Sequence, residues 1–345
     1  MRVFIGMSGG VDSAGAALLL QDMGHEVSGV TLVLQDCKDP APDIADARAA
    51  AERLGIPHHV LDLRERFAGQ VMDRFVAEYA AGRTPNPCID CNREIKFGAM
   101  LDWALAQGAD AIATGHYARV AFNGETGRWE LLRGRDRSKD QTYVLYQLTQ
   151  HQLSHLLLPV GEYEKPAIRA KAEERGLINA HKSDSQDICF IPDGDYAAFL
   201  RRYGGLTPVP GDFVDAAGHV LGRHKGLECY TIGQRKGLGV SADRPLYVVA
   251  KDLEHRRLVL GDNADLFTRE LTADRVNLIS IPELTGPTVV TAKTRYSQKE
   301  APAVIEPLEG GRVRVVFDQP QRAITPGQAV VFYDGERVVG GGTIL

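Results

Sequence analysis

Apolar and polar positions change their pattern segment by segment along the first half of the chain. Val3-Phe4-Ile5 predicts a short buried strand. Ser13 to Leu20 is rich in Ala and Leu and predicts a helix ended by Gly24, and Val27 to Leu34 is again β-branched and apolar. Asp43 to Leu54 puts Ile44, Ala47, Ala51 and Leu54 on one helical face and closes at Gly55 and Pro57. His59-Val60-Leu61 is a third strand. This β-α-β-α-β order predicts a parallel sheet covered by helices, with ligands at the carboxyl ends of the strands. Residues 64–81 and 92–107 read as two further helices and Asp110 to Thr114 as another buried strand. Arg119 to Phe122 and Arg128 to Leu132 flank Asn123-Gly124 and Thr126-Gly127, which predicts a hairpin. Lys165 to Arg175, closed by Gly176, is the last clear helix.

The texture changes after residue 203. Gly204-Gly205, Pro208, Pro210 and Gly211 mark a boundary. Short strand-like runs follow at Phe213-Val214, His219-Val220-Leu221, Leu246 to Ala250 and Arg257 to Leu260. From Leu266 to Leu345 the pattern is purely β, with runs at Thr288 to Ala292, Ala303 to Ile305, Val313 to Phe317, Ala329 to Phe332 and Val338-Val339. The expected organisation is an α/β domain with a parallel sheet over 1–203, a small mixed β domain over 204–265 and a small C-terminal β-barrel or sandwich over 266–345.

Composition narrows the class. At 345 residues, 44% hydrophobic and 25% charged, the chain is globular and long enough for two or three domains. No apolar run approaches a membrane span. The glycines from Gly6 onward cut the first apolar stretch too short for a signal peptide. Five cysteines, an odd number, do not make a disulfide framework, so a reducing cytoplasm is the expected location. A net charge of −5 argues against a coat of positive charge but leaves room for a local basic patch.

Two features carry chemistry. Gly6-Met7-Ser8-Gly9-Gly10-Val11-Asp12-Ser13 lies between a strand and a helix. It has neither the lysine of the GxxxxGK[ST] loop nor the GxGxxG spacing. Its small residues let backbone amides approach a phosphate, and the helix start at Asp12-Ser13 favours an anion. Cys88-Ile89-Asp90-Cys91 follows Thr84-Pro85-Asn86-Pro87, where two prolines favour an extended loop and Asn92 can cap a helix. Cys91 is therefore expected at a helix N-terminus, with Arg93 and Lys96 lowering its thiol pKa. Cys189 lies in a second loop, after the polar run Ser183-Asp184-Ser185-Gln186-Asp187. Redox-pair and half-zinc readings of the CxxC stay open on spacing alone. Cys37 and Cys229 read as incidental thiols. Arg133-Gly134-Arg135-Asp136-Arg137-Ser138-Lys139 carries four cations against one acid and reads as a phosphate-binding strip or a solvated loop.

SGGVDS after the first strand resembles the PP-loop of the ATP pyrophosphatases. GMSGGVDS (6–13), GRTPNPCIDCNREIKF (82–97), ATGHYAR (113–119), SKDQTYVLY (138–146), DSQDICFI (184–191), YTIGQRKGLG (230–239) and RYSQ (295–298), in this order, resemble the tRNA-specific 2-thiouridylase family over essentially the whole chain. The resemblance implies a PP-loop, HUP-like catalytic domain and sulfur replacing oxygen at C2 of the wobble uridine, position 34. It implies Mg²⁺-ATP as cosubstrate, with Gly6 to Ser13, Leu32 and Gly115 at the nucleotide; Leu32 is the looser carry-over because the family often has Met there. Asn86, Pro87 and Cys88 would face the base, Cys91 would be the nucleophile and Cys189 the persulfide carrier. His116, Lys139, Asp140, Gln141, Arg295, Tyr296 and Gln328 would contact tRNA. A sulfur-relay protein would be the donor, and neither a membrane nor DNA is implied as a partner.

One departure matters. Many members have Asp where this chain has Cys88, and a thiol is a different acid-base group. Cys88, Cys91 and Cys189 together could instead hold a [4Fe–4S] cluster with one open iron position. The rival classes are a PP-loop amidotransferase or synthetase and an ATP- or metal-binding regulatory module. Neither needs two separated loop cysteines.

Overall fold

The computed structural model describes residues 1–36, 42–177 and 188–345. Cys37 and the polar run 183–187 lie outside the described residues. In chain order the N-terminal part runs β1 (Arg2–Gly6), α1 (Val11–Asp22), β2 (Glu26–Val33), α2 (Pro42–Leu54) and β3 (His58–Asp62). Next come α3 (Arg64–Phe67), a π-helical stretch (Ala68–Met72) and α4 (Asp73–Ala80). After a short loop, α5 (Pro87–Asp90), a second π-helical stretch (Cys91–Ala99) and α6 (Met100–Ala106) follow without a break. Then come β4 (Ala111–Ala113), the hairpin β5 (Ala118–Asn123) and β6 (Arg128–Arg133), α7 (Gln150–Ser154), β7 (Leu156–Leu157), α8 (Lys165–Glu174) and α9 (Tyr196–Arg202).

The first sheet has the order β3-β2-β1-β4-β7, and every pairing is parallel. The alternation within Val3-Phe4-Ile5 explains why all three positions are apolar. Phe4 faces Phe97, Met100 and Ile112 on one side, while Val3 and Ile5 face α1, α2 and α8 on the other. A strand buried on both faces needs no polar positions. Truncating Phe4, which is 1% exposed, removes a ring of the kind worth about 3–5 kcal/mol in a core.

The expected helix over 92–107 starts earlier, at Pro87. Asn86 takes the cap position and its Oδ1 accepts the Cys88 N–H at 3.2 Å, with proline at the first helical position. Asn92, expected as the cap, sits inside the helix and donates Nδ2 to Val144 O at 3.0 Å. The short elements α7, β7 and α9 carry too few periodic positions to register in the sequence pattern.

The central sheet contains β8 (Gly211–Val214), β9 (Val220–His224), β10 (Tyr247–Asp252) and β11 (Arg257–Gly261) in the order β10-β11-β8-β9. It is mixed, because β11 and β8 run parallel and the other pairs antiparallel. Phe213, Tyr230, Val248, Leu258 and Leu260 form its core.

The C-terminal strands are β12 (Phe267–Leu278), β13 (Thr288–Lys293), β14 (Ala301–Leu308), β15 (Arg312–Arg322), β16 (Ala329–Asp334) and β17 (Arg337–Ile344). They pair in the order β12-β15-β14-β13-β16-β17, and β12 also pairs with β17, which closes a six-stranded barrel. β6 of the N-terminal hairpin joins β17 through Leu132 opposite Arg337, so the barrel sheet runs on into the first domain.

The segment 142–148 is the joint between the two. Tyr143 and Tyr146 are each at most 1% exposed. Tyr143 donates its hydroxyl to Ala329 O at 2.8 Å, and Asn277 Nδ2 donates to Tyr146 O at 2.7 Å and Leu148 O at 3.0 Å. Where β12 shifts its register, Arg275 adopts a φ of 48°. That left-handed turn is unfavourable for a side-chain-bearing residue, and it carries the Arg275 guanidinium to Glu78 at 3.2 Å.

Candidate active site

The loop Gly6 to Ser13 leaves the carboxyl end of β1 and enters α1. Gly10 occupies the cap position of α1 and no side chain caps it. Ser13 Oγ instead donates to Gly10 O at 3.0 Å and accepts the Ser8 N–H at 3.3 Å, which closes the loop on itself. Met7 is 3% exposed and donates its N–H to Val30 O at 2.8 Å. Leu32 stands on β2 beside the loop, partly buried between two core clusters. This is a compact amide-lined turn at a helix start, the arrangement that takes phosphate.

Gly115 lies hard against that turn. A Cβ there would stand 2.7 Å from Asp12 C and 2.7 Å from Ser13 N, which are backbone atoms. Its neighbour His116 is 9% exposed. The His116 ring shares a 2.7 Å hydrogen bond with Thr114 Oγ1 and packs against Phe97. Burial holds its pKa well below the usual histidine value, so it is neutral at pH 7.

The cysteines converge although they are distant in sequence. Cys88 and Cys189 are exposed and Cys91 is buried at 7% exposure; all three are free thiols. Cys91 shares one apolar cluster with Phe190 and Ile191, which follow Cys189 directly. Gln35 Nε2 holds Cys189 O at 3.2 Å. The three thiols lie within electrostatic reach of one another, and Lys96 reaches all three.

The expected low pKa for Cys91 is corrected here. Because the helix begins at Pro87, Cys88 and not Cys91 occupies its first turn. Burial pushes the Cys91 thiol up to about 12, against a smaller downward pull from Lys96. Burial likewise raises Cys88 and Cys189: both touch solvent, yet enough protein surrounds them to disfavour a thiolate. A raised thiol leaves a thiolate fraction that grows about tenfold per pH unit below its pKa. In the free enzyme, iodoacetamide should therefore modify Cys88 and Cys189 first. Modification of Cys91 should lag and climb about tenfold per unit from about pH 7 to 9, as followed by peptide mass mapping. Cys91 reacting as fast as Cys189 at pH 7 would contradict its burial.

Among the described residues no three His, Cys, Asp or Glu side chains stand together so as to hold a metal ion. The three thiols in this arrangement thus do not make a ready cluster site. Asp90, between the two helical cysteines, pairs with Arg74 at 2.8 Å. Burial raises the Asp90 carboxyl to about 6.

The residues expected at tRNA divide by placement. Tyr296 is 44% exposed and within electrostatic reach of Cys88. Lys293 lies 5.9 Å from both the Tyr143 and Tyr296 rings. Lys139 is half-buried. The others serve internal bonds. Asp140 accepts Gly134 N–H and Thr142 Oγ1–H at 3.1 and 2.7 Å, and Gln141 Oε1 accepts Tyr117 N–H at 2.8 Å. Arg295 Nη2 donates to Arg322 O at 2.6 Å, and Gln328 Nε2 donates to Thr84 O at 2.8 Å. The last bond clips the barrel onto the Thr84-Pro85-Asn86-Pro87 loop.

The expected phosphate strip is largely neutralised. Arg133 is 8% exposed, pairs with Glu300 and lies 3.9 Å over the Tyr333 ring. Arg135 pairs with Glu162 at 3.1 Å and Arg137 with Glu336. Sequence reasoning counted the cations but had no view of carboxylates that arrive from other elements.

Sequence reasoning also missed Tyr117 and Lys165. Tyr117 donates its hydroxyl to Asp12 Oδ1 at 2.7 Å, and Lys165 Nζ donates to Asp12 Oδ2 at 3.0 Å. The one available signal was a lysine at the very start of a helix, which reads as surface.

Three family models match the chain in succession. These are the tRNA methyl transferase HUP domain over 1–193, the tRNA methyl transferase PRC-barrel domain over 197–262 and the aminomethyltransferase beta-barrel domain over 268–344. The N-terminal sheet, the central mixed sheet and the closed six-stranded barrel correspond to them in order. A solved U34-tRNA thiolase NcsA from Methanococcus maripaludis, described with its [4Fe-4S] cluster, aligns at 19% identity over 59% of this chain and 66% of its own, with a TM-score of 0.35. That likeness is too slight to bear on the cysteines. The tRNA-specific 2-thiouridylase MnmA of Acetivibrio thermocellus is 50% identical, covering 99% of each chain. That of Moorella thermoacetica is 51% identical, covering 99% of this chain and 98% of its own. Identity at this level over the full length, on top of the loop and thiol geometry, places the chain in the tRNA-specific 2-thiouridylase MnmA family.

Proposed function

We propose that the protein is a tRNA-uridine 2-sulfurtransferase that activates C2 of the wobble uridine with ATP and replaces its oxygen with sulfur. The carrying observation is that a phosphate loop and two free cysteines distant in sequence, Cys91 and Cys189, meet in one domain that is bordered by a barrel tyrosine.

The chemistry follows from the leaving group. An amide-like oxygen leaves C2 poorly. Attack of that oxygen on the α-phosphorus of ATP expels pyrophosphate and converts the oxygen into part of AMP, which leaves readily. Loop amides at the start of α1 are placed to hold the phosphates as charge moves onto pyrophosphate. Asp12 is the carboxylate of the loop, and its two oxygens are taken by Tyr117 and Lys165. Each oxygen keeps a second lone pair, so Asp12 could also meet a Mg²⁺ ion that arrives with the phosphates of the substrate.

Sulfur comes next. Cys189 is exposed, which suits loading of a terminal sulfur by a donor protein. The terminal persulfide sulfur attacks C2 and AMP departs with the original oxygen. The Cys91 thiolate then attacks Sγ of Cys189. The Sγ–sulfur bond breaks, its electron pair stays with the sulfur on C2, and a Cys91–Cys189 disulfide forms. A reducing thiol resets the pair. Cys91 must be uncovered and deprotonated for this step, which ties its reactivity to the arrival of substrate. Cys88, in the first turn of the helix and within electrostatic reach of Tyr296, stands where many members of the family carry Asp and would face the base with Asn86 and Pro87.

The test is the identity of the ATP products. With substrate tRNA, the enzyme should release AMP and pyrophosphate in step with 2-thiouridine. ADP and phosphate as products would refute the reading.

A further inference from the structure

The phosphate loop carries no lysine, yet the fold brings one to it. Lys165 opens α8, 153 residues from Asp12. It is 7% exposed, and lysine is almost never buried to that degree without a paired charge. Its Nζ stands 3.0 Å from Asp12 Oδ2 and 5.9 Å from the centre of the Tyr117 ring, while its backbone N–H donates to Asp136 Oδ2 at 3.1 Å. The close fit of two helices makes this possible. Gly15 on α1 lies so near α8 that a Cβ would come 2.5 Å from Ile168 Cγ2. Asp136, from the basic strip, fixes the first turn of α8 and so the origin of the lysine side chain.

The electrostatic problem is plain. Asp12 puts a negative charge on a loop built for a polyphosphate. Without a compensating cation the two repel, and the repulsion is strong where protein displaces water. Tyr117 offers Asp12 a hydrogen bond but no charge. Lys165 is the cation that faces it.

We propose that Lys165 is a positioning residue of the nucleotide site: its ammonium neutralises Asp12 and supplies the positive charge that the loop itself lacks. The proposal rests on the reading of the loop as an ATP site. It predicts that the charge at position 165, rather than its packing, sets nucleotide affinity.

The test uses the full chain and Mg²⁺-ATP titrated calorimetrically, with a thermal melt for each variant. K165M should bind about tenfold to a hundredfold more weakly than wild type, the scale of one lost charge-assisted contact. K165R, which keeps the charge, should stay within about fivefold of wild type, and the double variant D12N/K165M, in which both charges are gone, should bind at least about fivefold more tightly than K165M. K165M that binds like wild type overturns the proposal, and so does K165R as weak as K165M. A double variant no better than K165M also overturns it, because a purely structural lysine would not be rescued by removing Asp12. If K165M fails to fold, K165R decides by the same limit, and loss of folding or binding in both K165R and the double variant overturns the proposal. Wild type that fails to bind Mg²⁺-ATP removes the ATP reading itself, an outcome distinct from each of these.

Discussion

Serine at position 189 abolishes thiolation, by about three orders of magnitude or more, while tRNA affinity stays within a few fold and pyrophosphate is still released from ATP as the tRNA is adenylated. This is the expected result for a residue that carries sulfur and neither grips phosphate nor builds the nucleotide loop. Serine keeps the shape and exposure of the side chain, and Cys189 Sγ has no packing role comparable to that of Phe190, which is 4% exposed. C91S should be equally inactive but for a different reason, since its defect lies in releasing the sulfur. In C91S the sulfur should therefore stay on Cys189, as a persulfide before tRNA is added and as a Cys189–sulfur–tRNA disulfide after it, and both species should be absent in C189S, as read by intact-protein mass spectrometry. Equal loss of tRNA binding and of activity in C189S would mark the residue as structural. A fully active C189S would end the persulfide route altogether.

The second large effect is expected at a residue with no chemistry of its own. G115A places a methyl 2.7 Å from the backbone of Asp12 and Ser13, and backbone cannot swing aside as a side-chain tip can. The first turn of α1 has to shift, and its amides shift with it. A displacement of an ångström at a reacting group costs about a hundredfold in rate, so kcat/KM for ATP should fall by about that factor. G124A is the matched control, because a Cβ at Gly124 meets nothing within 4 Å. A G115A enzyme with wild-type ATP kinetics would show that the loop tolerates movement and that its geometry is not what binds phosphate.

Much of the fold was legible because its signals are local. Val3-Phe4-Ile5, the Ala-rich helix after it and the β-branched run to Leu34 each announce their own structure, and their order restricts the sheet to a parallel one. The turn Gly6 to Ser13 between β1 and α1 was legible for the same reason, since its eight residues are contiguous. What escaped is what depends on a partner far along the chain. Cys91 was expected to be an activated thiol because Arg93 and Lys96 are adjacent, whereas burial raises its pKa, in an apolar cluster that brings Phe67, Phe75 and Phe190 from other segments. Asp140 and Gln141 look like solvent-facing residues in a polar run, but the turn they occupy folds back onto Gly134 and Tyr117. Arg295 was an attractive phosphate grip in the sequence and proves to hold two carbonyls of the barrel, at Arg322 and Ala323. Residues 267–345 hold nine basic and nine acidic side chains, and counting them could not show this. Deleting the barrel, the obvious way to ask whether it binds tRNA, would also uncover Tyr143 and Tyr146, so a change at exposed Tyr296 is the cleaner probe.

The hairpin that runs from the first domain into the barrel sheet limits how this protein can be recombined. β12 pairs with β17 from Gly340 to Ile344, and β6 meets the remaining end of that edge at Arg337. Arg133 N–H donates to Glu336 O at 2.9 Å across the same seam. A chimera that takes its barrel from a distant relative would carry over the closed ring of strands but neither the hairpin that seals its edge nor the sockets for Tyr143 and Tyr146. Three family models divide the chain neatly in sequence, yet an exchangeable part in the physical sense comprises 118–148 together with 267–345. Shuffled proteins cut only at residue 266 should be prone to stick to one another through the unsealed end of β17 and the ill-matched sockets for Tyr143 and Tyr146, whereas those that move both pieces should stay monodisperse.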